Sequence, residues 1–252
     1  MIVRSAGRTD VGMRRTLNED AFLCDDDASV YFVADGMGGH AAGEVASQEA
    51  VASAIGMVKR AKHDLQRLIE PLEERTVLAA MRVMESAVQA ATYMVFTLAQ
   101  LDRDKSGMGT TVTGMLFHGD YAITAQVGDS RIYQLRDGQS RQLTEDHTLV
   151  AWQLRQGIIT LEEARRSPHK NVITRAVGNK DYVQVDTGLV RVEPGDRYLM
   201  CTDGLHGYLR ASEIAQIAEL GGQAAVEAFV DLANERGGKD NVTAILIEVS
   251  DE

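Results

Sequence analysis

Apolar and polar positions divide the chain into blocks typical of strands and blocks typical of helices. Short runs of β-branched and aromatic residues predict strands over 22–34, 110–135, 183–192, 197–202 and 243–249. Within 110–135 the runs are separated by the turn sequences H-G-D and G-D-S, so this stretch is predicted to form an antiparallel meander.

Apolar residues at alternating spacings of three and four indicate the helices. This spacing predicts helices over 44–60 and 74–101, and two more helices are predicted near 212–220 and 223–236, where Gly221 and Gly237 would stop them. The stripe in 74–101 is rich in methionine, which suits either core packing or an adaptable binding face. Because strands and helices are grouped in separate blocks instead of alternating, we expect an α+β fold with antiparallel sheets.

A polar stretch at 144–180 lies between two of the strand regions. Its pattern predicts a short amphipathic helix over 146–156, and Thr160 with Glu163 predicts a capping box at the start of a second helix. The stretch can cover a site, or it can be only a long surface connection.

The composition is that of an ordinary globular protein, with 44% apolar and 25% charged residues in a chain of 252. No linker, repeat or low-complexity tract divides the chain, so 1–252 is predicted to be one domain. The formal charge of −11 argues against nucleic-acid binding, which usually depends on basic patches, and it suits a protein that attracts divalent cations.

The sequence also indicates the cellular compartment in which the protein is expected. Cys24 and Cys201 are too few for a disulfide framework, which fits a reducing environment. The N-terminus has no apolar signal region, and no stretch approaches the roughly 18 apolar residues of a membrane span. We therefore expect a cytoplasmic, monomeric protein that binds neither membranes nor nucleic acid.

Acidic residues far apart in the sequence stand at the ends of predicted elements. Asp35 and Asp203 each follow an apolar strand and begin an Asp-Gly pair, and Asp240 follows R-G-G-K. All-oxygen ligands with no Cys or His cluster suit Mg²⁺ or Mn²⁺, and the carbonyl of Gly36 can approach a metal without side-chain hindrance. The alternative is ordinary turn chemistry, of which the Asp-Gly pair at 137–138 is the plain example.

Other polar residues are candidates for contacts with phosphate or metal. Arg15 is a candidate phosphate clamp, and Glu19 and Asp20 are candidate metal or metal-water partners, although their segment can also be a solvated charged loop. Asp129 can bind a further cation or cap its turn. His40, in a glycine-rich loop, can donate a proton to a leaving group or make a local hydrogen bond.

The sequence indicates neither nucleotide binding by a P-loop nor catalysis by a covalent nucleophile. The segment G-M-G-T-T (107–111) lacks the form of a nucleotide P-loop, and it is better explained as a strand start in close contact with its neighbour. The chain has no G-x-S-x-G, and neither cysteine has a neighbouring base in sequence, so a covalent nucleophile is not indicated.

Six motifs occur in order along the chain: R-T-L-N-E-D (15–20), V-A-D-G-M-G-G-H (33–40), G-M-G-T-T (107–111), V-G-D-S-R (127–131), L-M-C-T-D-G-L (199–205) and G-G-K-D-N-V-T (237–243). In this order, and with helices between them, they resemble the protein phosphatase 2C family, the metal-dependent Ser/Thr protein phosphatases. The resemblance runs from about Gly7 to Glu248. It implies a four-layer α-β-β-α sandwich of two antiparallel sheets flanked by helices.

The resemblance also implies residue roles. Asp35 resembles the ligand that bridges two metal ions, with the Gly36 carbonyl on one of them and Asp203 and Asp240 on the other. Arg15 matches the phosphate-binding arginine. The implied chemistry is direct attack on phosphorus by a water activated between two Mn²⁺ or Mg²⁺ ions, without a phosphoenzyme.

Further positions match secondary features of the family. Glu19 and Asp20 resemble residues that act largely through metal-bound water. Asp129 resembles the acid that, with Asp203, holds a weaker third metal in bacterial members. The stretch 144–180 resembles the flap subdomain, which lies beside the cleft and affects substrate choice.

Two departures point to the compact bacterial branch, whose members typically reverse eukaryotic-type Ser/Thr kinases in signal transduction. Met37 stands where animal members carry a histidine proposed as general acid, and Asn18 stands where they usually carry methionine. The acid role is not transferred to His40, three residues after Met37. We therefore expect a phosphatase for phosphoserine and phosphothreonine on proteins, acting against such a kinase and its substrates.

Two alternatives accompany this expectation. One is a phosphatase dedicated to a single regulator such as an anti-anti-sigma factor, although such proteins usually carry attached sensory domains. The other is an inactive phosphoprotein- or kinase-binding scaffold of the same fold, which normally requires the loss of metal acids that are all present here.

Overall fold

The computed structural model describes residues 1–38, 42–66 and 74–251. The strands in these ranges are β1 (Ile2–Asp10), β2 (Asp20–Asp25), β3 (Val30–Met37), β4 (Gly109–Thr110), β5 (Val112–His118), β6 (Tyr121–Val127), β7 (Arg131–Arg136), β8 (Gln139–Gln142), β9 (Asp186–Arg191), β10 (Arg197–Cys201) and β11 (Val242–Ser250). The α-helices are α1 (Ala42–Gln66), α2 (Glu74–Leu101), α3 (Leu149–Arg155), α4 (Leu161–Arg166), α5 (Asp203–His206), α6 (Ala211–Ala218) and α7 (Gly222–Glu235).

The strands form two antiparallel sheets. The first has the order β1-β11-β10-β7-β8, and the second has the order β2-β3-β5-β6-β9 with the short β4 paired to β3. Helices α1 and α2 pack on the second sheet, and α6 and α7 pack beside the first. The α+β class and the four-layer sandwich are both confirmed.

Three apolar layers hold the sandwich together. Between the sheets, Phe117 makes edge-to-face contacts with Tyr31 and Tyr198, with ring centroids 5.9 and 5.5 Å apart. The methionine-rich stripe of α2 is buried against the second sheet, which confirms that it is core; Met84 is fully buried there. The third layer, around Phe229, lies between the first sheet and α5, α6 and α7.

The position of strand β3 between two apolar layers explains why its sequence is continuously apolar. Val30, Phe32 and Ala34 belong to the layer under the helices, whereas Tyr31 and Val33 belong to the layer between the sheets. Both faces of this strand are therefore buried, which removes the usual alternation of apolar and polar residues. The run ends where the strand reaches the edge of the sandwich.

The structure corrects two strand predictions. The stretch 22–34 is not one strand but the β2–β3 hairpin, whose turn includes Ser29 at a φ of 51°. The predicted meander over 110–135 is only half correct. Strand β5 pairs with β6 in the second sheet as predicted, whereas β7 pairs with β10 and β8 in the first sheet. The G-D-S turn carries the chain from one sheet to the other, with Gly128 packed against Thr111.

The stretch 144–180, called the flap below, contains α3 and α4. The first helix starts later than predicted because Thr148, not Asp146, is its N-cap, with the Ala151 N–H donating to the Thr148 hydroxyl. The predicted capping box is confirmed: the Glu163 N–H donates to Thr160 Oγ1 at 3.2 Å, and the Thr160 N–H donates to Glu163 Oε2 at 2.7 Å.

Candidate active site

Asp35 lies at the end of β3, directly opposite Asp20 in the β2–β3 pair. The backbone at Asp35 is held by Thr111, whose Oγ1 accepts from the Asp35 N–H and whose own N–H donates to the Asp35 carbonyl, both at 2.9 Å. Burial and the charges of nearby acids raise the pKa of Asp35 well above its usual range.

Asp20 is buried and only half satisfied by hydrogen bonds. Its Oδ2 accepts from the hydroxyls of Thr202 and Thr243, at 2.9 and 2.6 Å, but its Oδ1 has no partner among the described residues. Burial raises the pKa of Asp20 to about 7. An unpartnered carboxylate oxygen in the interior is costly unless a cation or water satisfies it.

Asp203 begins α5, immediately after β10, and it lies close to Asp240 at the start of β11. Gly204 makes this approach possible, since a Cβ there would lie 1.8 Å from the Asn241 carbonyl oxygen. Burial and the charge of Asp240 raise the pKa of Asp203. The two sheets therefore bring these acids to the same edge as Asp35.

The donor set fits Mg²⁺ or Mn²⁺ better than zinc. Among the described residues, no group of three or more His, Cys, Asp or Glu side chains is arranged to hold an ion by itself. The aspartates supply oxygen ligands, which Mg²⁺ and Mn²⁺ prefer, and no cysteine or histidine cluster accompanies them in the described residues. The orphaned Oδ1 of Asp20 and the mutual repulsion of the buried acids both favour a cation at this edge.

Arg15 lies at the acid cluster. Its Nη2 donates to Asp240 Oδ2 at 2.9 Å, and its Nη1 lies 4.0 Å from Glu19 Oε2. The hydrogen bond with Asp240 raises the pKa of Arg15, and its side chain is still 47% exposed. The guanidinium is therefore charged, anchored on one side and open to solvent on the other.

Gly36 packs tightly where β3 ends. Its N–H donates to the Glu19 carbonyl at 3.0 Å, and a Cβ on it would lie 2.1 Å from the Gly43 carbonyl oxygen. Burial raises the pKa of Glu19, whose carboxylate contacts the first turn of α1 at Gly43. His40 lies outside the described residues.

Asp129 is buried in the turn between β6 and β7. Burial, with the charge of Asp203, raises its pKa to about 7. Two histidines hold this turn: His206 Nε2 lies 2.9 Å from the Asp129 carbonyl oxygen, and His147 Nδ1 accepts from the Gly128 N–H at 3.1 Å. Burial lowers the pKa of His206 to about 4, so it is neutral at pH 7.

Asn241 is a residue that the sequence patterns did not single out. Its Oδ1 accepts from the Glu19 N–H at 2.8 Å, and its Nδ2 donates to the carbonyls of Val11 and Leu17 at 3.0 and 2.9 Å. It therefore holds the loop of Arg15 against the start of β11. Its only sequence signal is its place directly after a candidate ligand.

A cavity of about 700 Å³ extends from the acids to the flap. Asp129, Asp203 and Asp240 line one end, and α3 and α4 line the other. At the base of the flap, His147 Nε2 lies 3.0 Å from Asp186, and Arg131 holds Asp146 through two hydrogen bonds. Helices α3 and α4 of the flap therefore lie beside these acids.

Comparison with known proteins agrees with this geometry. A family model described as Protein phosphatase 2C matches residues 13–246. The serine/threonine phosphatase Stp of Listeria monocytogenes is 36% identical over 250 residues, covering 96% of this chain and 94% of that protein.

Two solved structures are also similar. The serine/threonine phosphatase PstP/Ppp of Mycobacterium tuberculosis superposes with a TM-score of 0.87 at 33% identity, covering 100% of both chains. A structure of the PstP catalytic domain in complex with two manganese ions gives a TM-score of 0.84 at 34% identity, covering 99% of both chains.

The sandwich, the acids at its edge and relatives named serine/threonine phosphatases together define a phosphatase enzyme. The chain belongs to the protein phosphatase 2C family. None of the helices in the described ranges has the length and apolar character needed to cross a bilayer.

Proposed function

We propose that this protein hydrolyses phosphoserine and phosphothreonine on proteins by attack of a water activated between two Mn²⁺ or Mg²⁺ ions. The observation that carries the proposal is the convergence of acids from both sheets: burial and the charges of Asp20 and Asp203 raise the pKa of Asp35, and burial and the charge of Asp240 raise the pKa of Asp203. Such an arrangement is costly without cations.

The residues proposed to hold the ions come from three strand ends. Asp35, the Gly36 carbonyl, Asp203 and Asp240 would together hold the two core ions. Asp129 is assigned, with Asp203, to a weaker third ion. The similar PstP structure with two manganese ions supports the two-ion core.

When bound, these ions supply Lewis acidity and allow water to act as a hydroxide nucleophile at neutral pH. Arg15 binds the phosphoryl group through the side of its guanidinium that Asp240 leaves open, and its charge offsets that of the phosphoryl oxygens. Glu19 and Asp20 would lie beside the ions and orient water there, and the unpartnered Oδ1 of Asp20 offers an acceptor for such a water.

Protonation of the leaving group cannot be assigned to the buried histidines. His206 points its Nε2 at a backbone carbonyl, and its pKa of about 4 leaves no proton to give at pH 7. Burial likewise lowers the pKa of His147. His40 stays a candidate by its position in the sequence alone.

The proposed setting is bacterial signalling, in which the protein reverses a eukaryotic-type Ser/Thr kinase as a cytoplasmic monomer. Met37 and Asn18, which match the bacterial branch, support this setting. The relatives named serine/threonine phosphatases in the bacteria Listeria monocytogenes and Mycobacterium tuberculosis support it further.

The test is hydrolysis of p-nitrophenyl phosphate and of a phosphothreonine peptide, with Mn²⁺, with Mg²⁺ and with chelator. Turnover of both substrates should require metal and should be restored when metal is returned after chelation. A folded protein that binds a phosphopeptide without turning it over in any metal would instead indicate the scaffold.

A further inference from the structure

The cavity beside the acids carries positive charge at its far side. Arg165 and Lys170 of the flap line that side, whereas Lys239 lines the cavity beside Asp240; none of these three side chains forms an ion pair with any residue in the described ranges. Arg131 also lines the cavity, but its charge is matched by Asp146 at 2.6 Å. In a protein with a formal charge of −11, the flap side of the cavity therefore presents two cations, Arg165 and Lys170, that have no ion pair among the described residues.

The same wall has an apolar strip contributed by α3 and α4. Val150, Ala151, Leu154, Leu161 and Ala164 line it. Leu154 and Leu161 are 38% and 54% exposed, respectively. Apolar side chains that stay exposed in the wall of a cavity can bind an apolar group of a ligand.

The cavity is larger than one phosphoryl group needs. Its volume of about 700 Å³ lies within the range of about 300–1,000 Å³ typical of ligand sites, so it can hold several residues of a peptide. Asp129, Asp203 and Asp240 line one end, and Arg165 and Lys170 line the flap end. A peptide whose phosphate is at the acids therefore extends past the cations and the apolar strip.

We propose that this cavity selects phosphoproteins in which an apolar residue and a second anionic group lie close to the phosphorylated residue. The second anion is a carboxylate side chain or another phosphoryl group, since both complement the cations. This inference rests on the proposed phosphatase function and names its substrate class. Without these cations, the negative charge of the protein would disfavour such a peptide.

The experiment compares three phosphothreonine peptides of equal length. They differ at one position near the phosphothreonine, which is Glu, Gln or a second phosphothreonine. We expect kcat/KM for the Glu peptide to exceed that for the Gln peptide about fivefold at low salt, mainly through KM. The preference should shrink at high salt, because exposed charges are screened.

The third peptide distinguishes the two sources of negative charge. Equal preference for the Glu and doubly phosphorylated peptides would show that a carboxylate suffices. Preference for the doubly phosphorylated peptide alone would identify the second anion as phosphoryl. Either result supports the proposal, whereas equal kcat/KM for all three peptides overturns it.

Matched variants test whether residues that line the cavity cause the preference for the Glu peptide. The double substitution Arg165→Gln with Lys170→Gln should remove the preference for the Glu peptide and leave p-nitrophenyl phosphate turnover unchanged. Arg166→Gln is the control, because Arg166 pairs with Glu162 at 2.8 Å and does not line the cavity.

The assignment of the preference to Arg165 and Lys170 would be contradicted by an equal decrease of kcat/KM for the Glu and Gln peptides in the double variant. It would also be contradicted if Arg166→Gln lost the preference for the Glu peptide to the same extent. The failure of the broader phosphatase proposal would be recognised separately, because wild-type protein would then not turn over p-nitrophenyl phosphate.

Discussion

Asp20 of β2 and Asp35 of β3 are direct cross-strand partners at the edge where the two sheets meet. Like charges in opposed positions destabilise a sheet, and here Asp20 is buried, Asp35 is half-buried, and burial with the charges of further acids raises the pKa of both. We therefore expect this pair to make the stability of the folded protein depend on pH and on bound metal.

Stability without metal should fall as pH rises, because Asp20 must lose a proton. Its pKa in the folded state is about 7 against a usual value near 4, so between these values the folded state holds the extra proton. By linkage, the contribution of Asp20 to the free energy of unfolding is present at low pH and decreases as pH rises towards 7.

The measurement is urea unfolding in chelator from pH 5 to 7.5 for wild type and Asp20→Asn. The difference between the two proteins reports the removal of this carboxylate together with its electrostatic effect on Asp35, since His206 and His147 titrate in both. Wild type should lose stability relative to the variant as pH rises, and Mn²⁺ should reverse the trend. Parallel pH profiles in chelator would argue against a raised pKa for Asp20.

Asp203→Asn should lower turnover by about a hundredfold or more while leaving the fold intact, because it removes the charge of a proposed metal ligand. Steady-state rates at saturating Mn²⁺ and far-UV circular dichroism make the comparison. Asp137→Asn is the control: Asp137 lies in a plain turn between β7 and β8 at a φ of 53°, which asparagine also tolerates. Unchanged activity in Asp203→Asn would remove this residue from the site.

Asp129→Ala should weaken activity when metal is limiting. Asp129 is proposed to hold the weakest ion, so the Mn²⁺ concentration for half-maximal rate should rise several-fold while the saturated rate changes less. Asp120→Ala, in an exposed turn between β5 and β6, should behave as wild type. A titration curve superimposed on that of wild type would count against a third ion at Asp129.

Arg15→Lys should reduce kcat/KM about tenfold or more, although the positive charge is retained. Lysine cannot bind Asp240 and a phosphoryl oxygen with one planar group, as the guanidinium does. Arg14→Lys, at the exposed neighbouring position, should have no effect. A similar rate for the two variants would show that charge alone is needed at position 15.

Asn241→Asp should lower the free energy of unfolding by about 3 kcal/mol, because a carboxylate would face the carbonyls of Val11 and Leu17 in place of a donor. Urea unfolding at constant Mn²⁺ measures the change. Asn171→Asp, an exposed substitution of the same kind in the flap, should change stability little. Equal effects in the two variants would mean that the amide donor of Asn241 is not needed.

Sequence patterns predicted the long helices and strands correctly where one face of the element, or the whole element, is buried. Helix α2 was predicted over the range that the structure shows, and the apolar run of β3 indicated the strand that presents Asp35. Strand β1 was not predicted, since Arg4, Arg8 and Asp10 interrupt its apolar pattern and its structure depends on pairing with β11. Turn sequences likewise could not show that β7 joins the other sheet.

The acids of the site were predictable because each stands at the end of a recognisable element. Their partners were not, because a hydroxyl or an amide carries no local signal of what it will bind. Thr202 and Thr243 meet Asp20 across more than 180 positions of sequence, and Asn241 meets Glu19 across 222.

Asp20 and Asp35 belong to one sheet, whereas Asp203 and Asp240 flank strands of the other. An ion shared between these pairs would join the two layers as a reversible cross-link, much as a disulfide joins distant segments. Amide hydrogen exchange at this edge, on strands β2, β3, β10 and β11, should then slow when Mn²⁺ is added. The metal would in that case set how firmly the sandwich is closed, in addition to carrying out its chemistry.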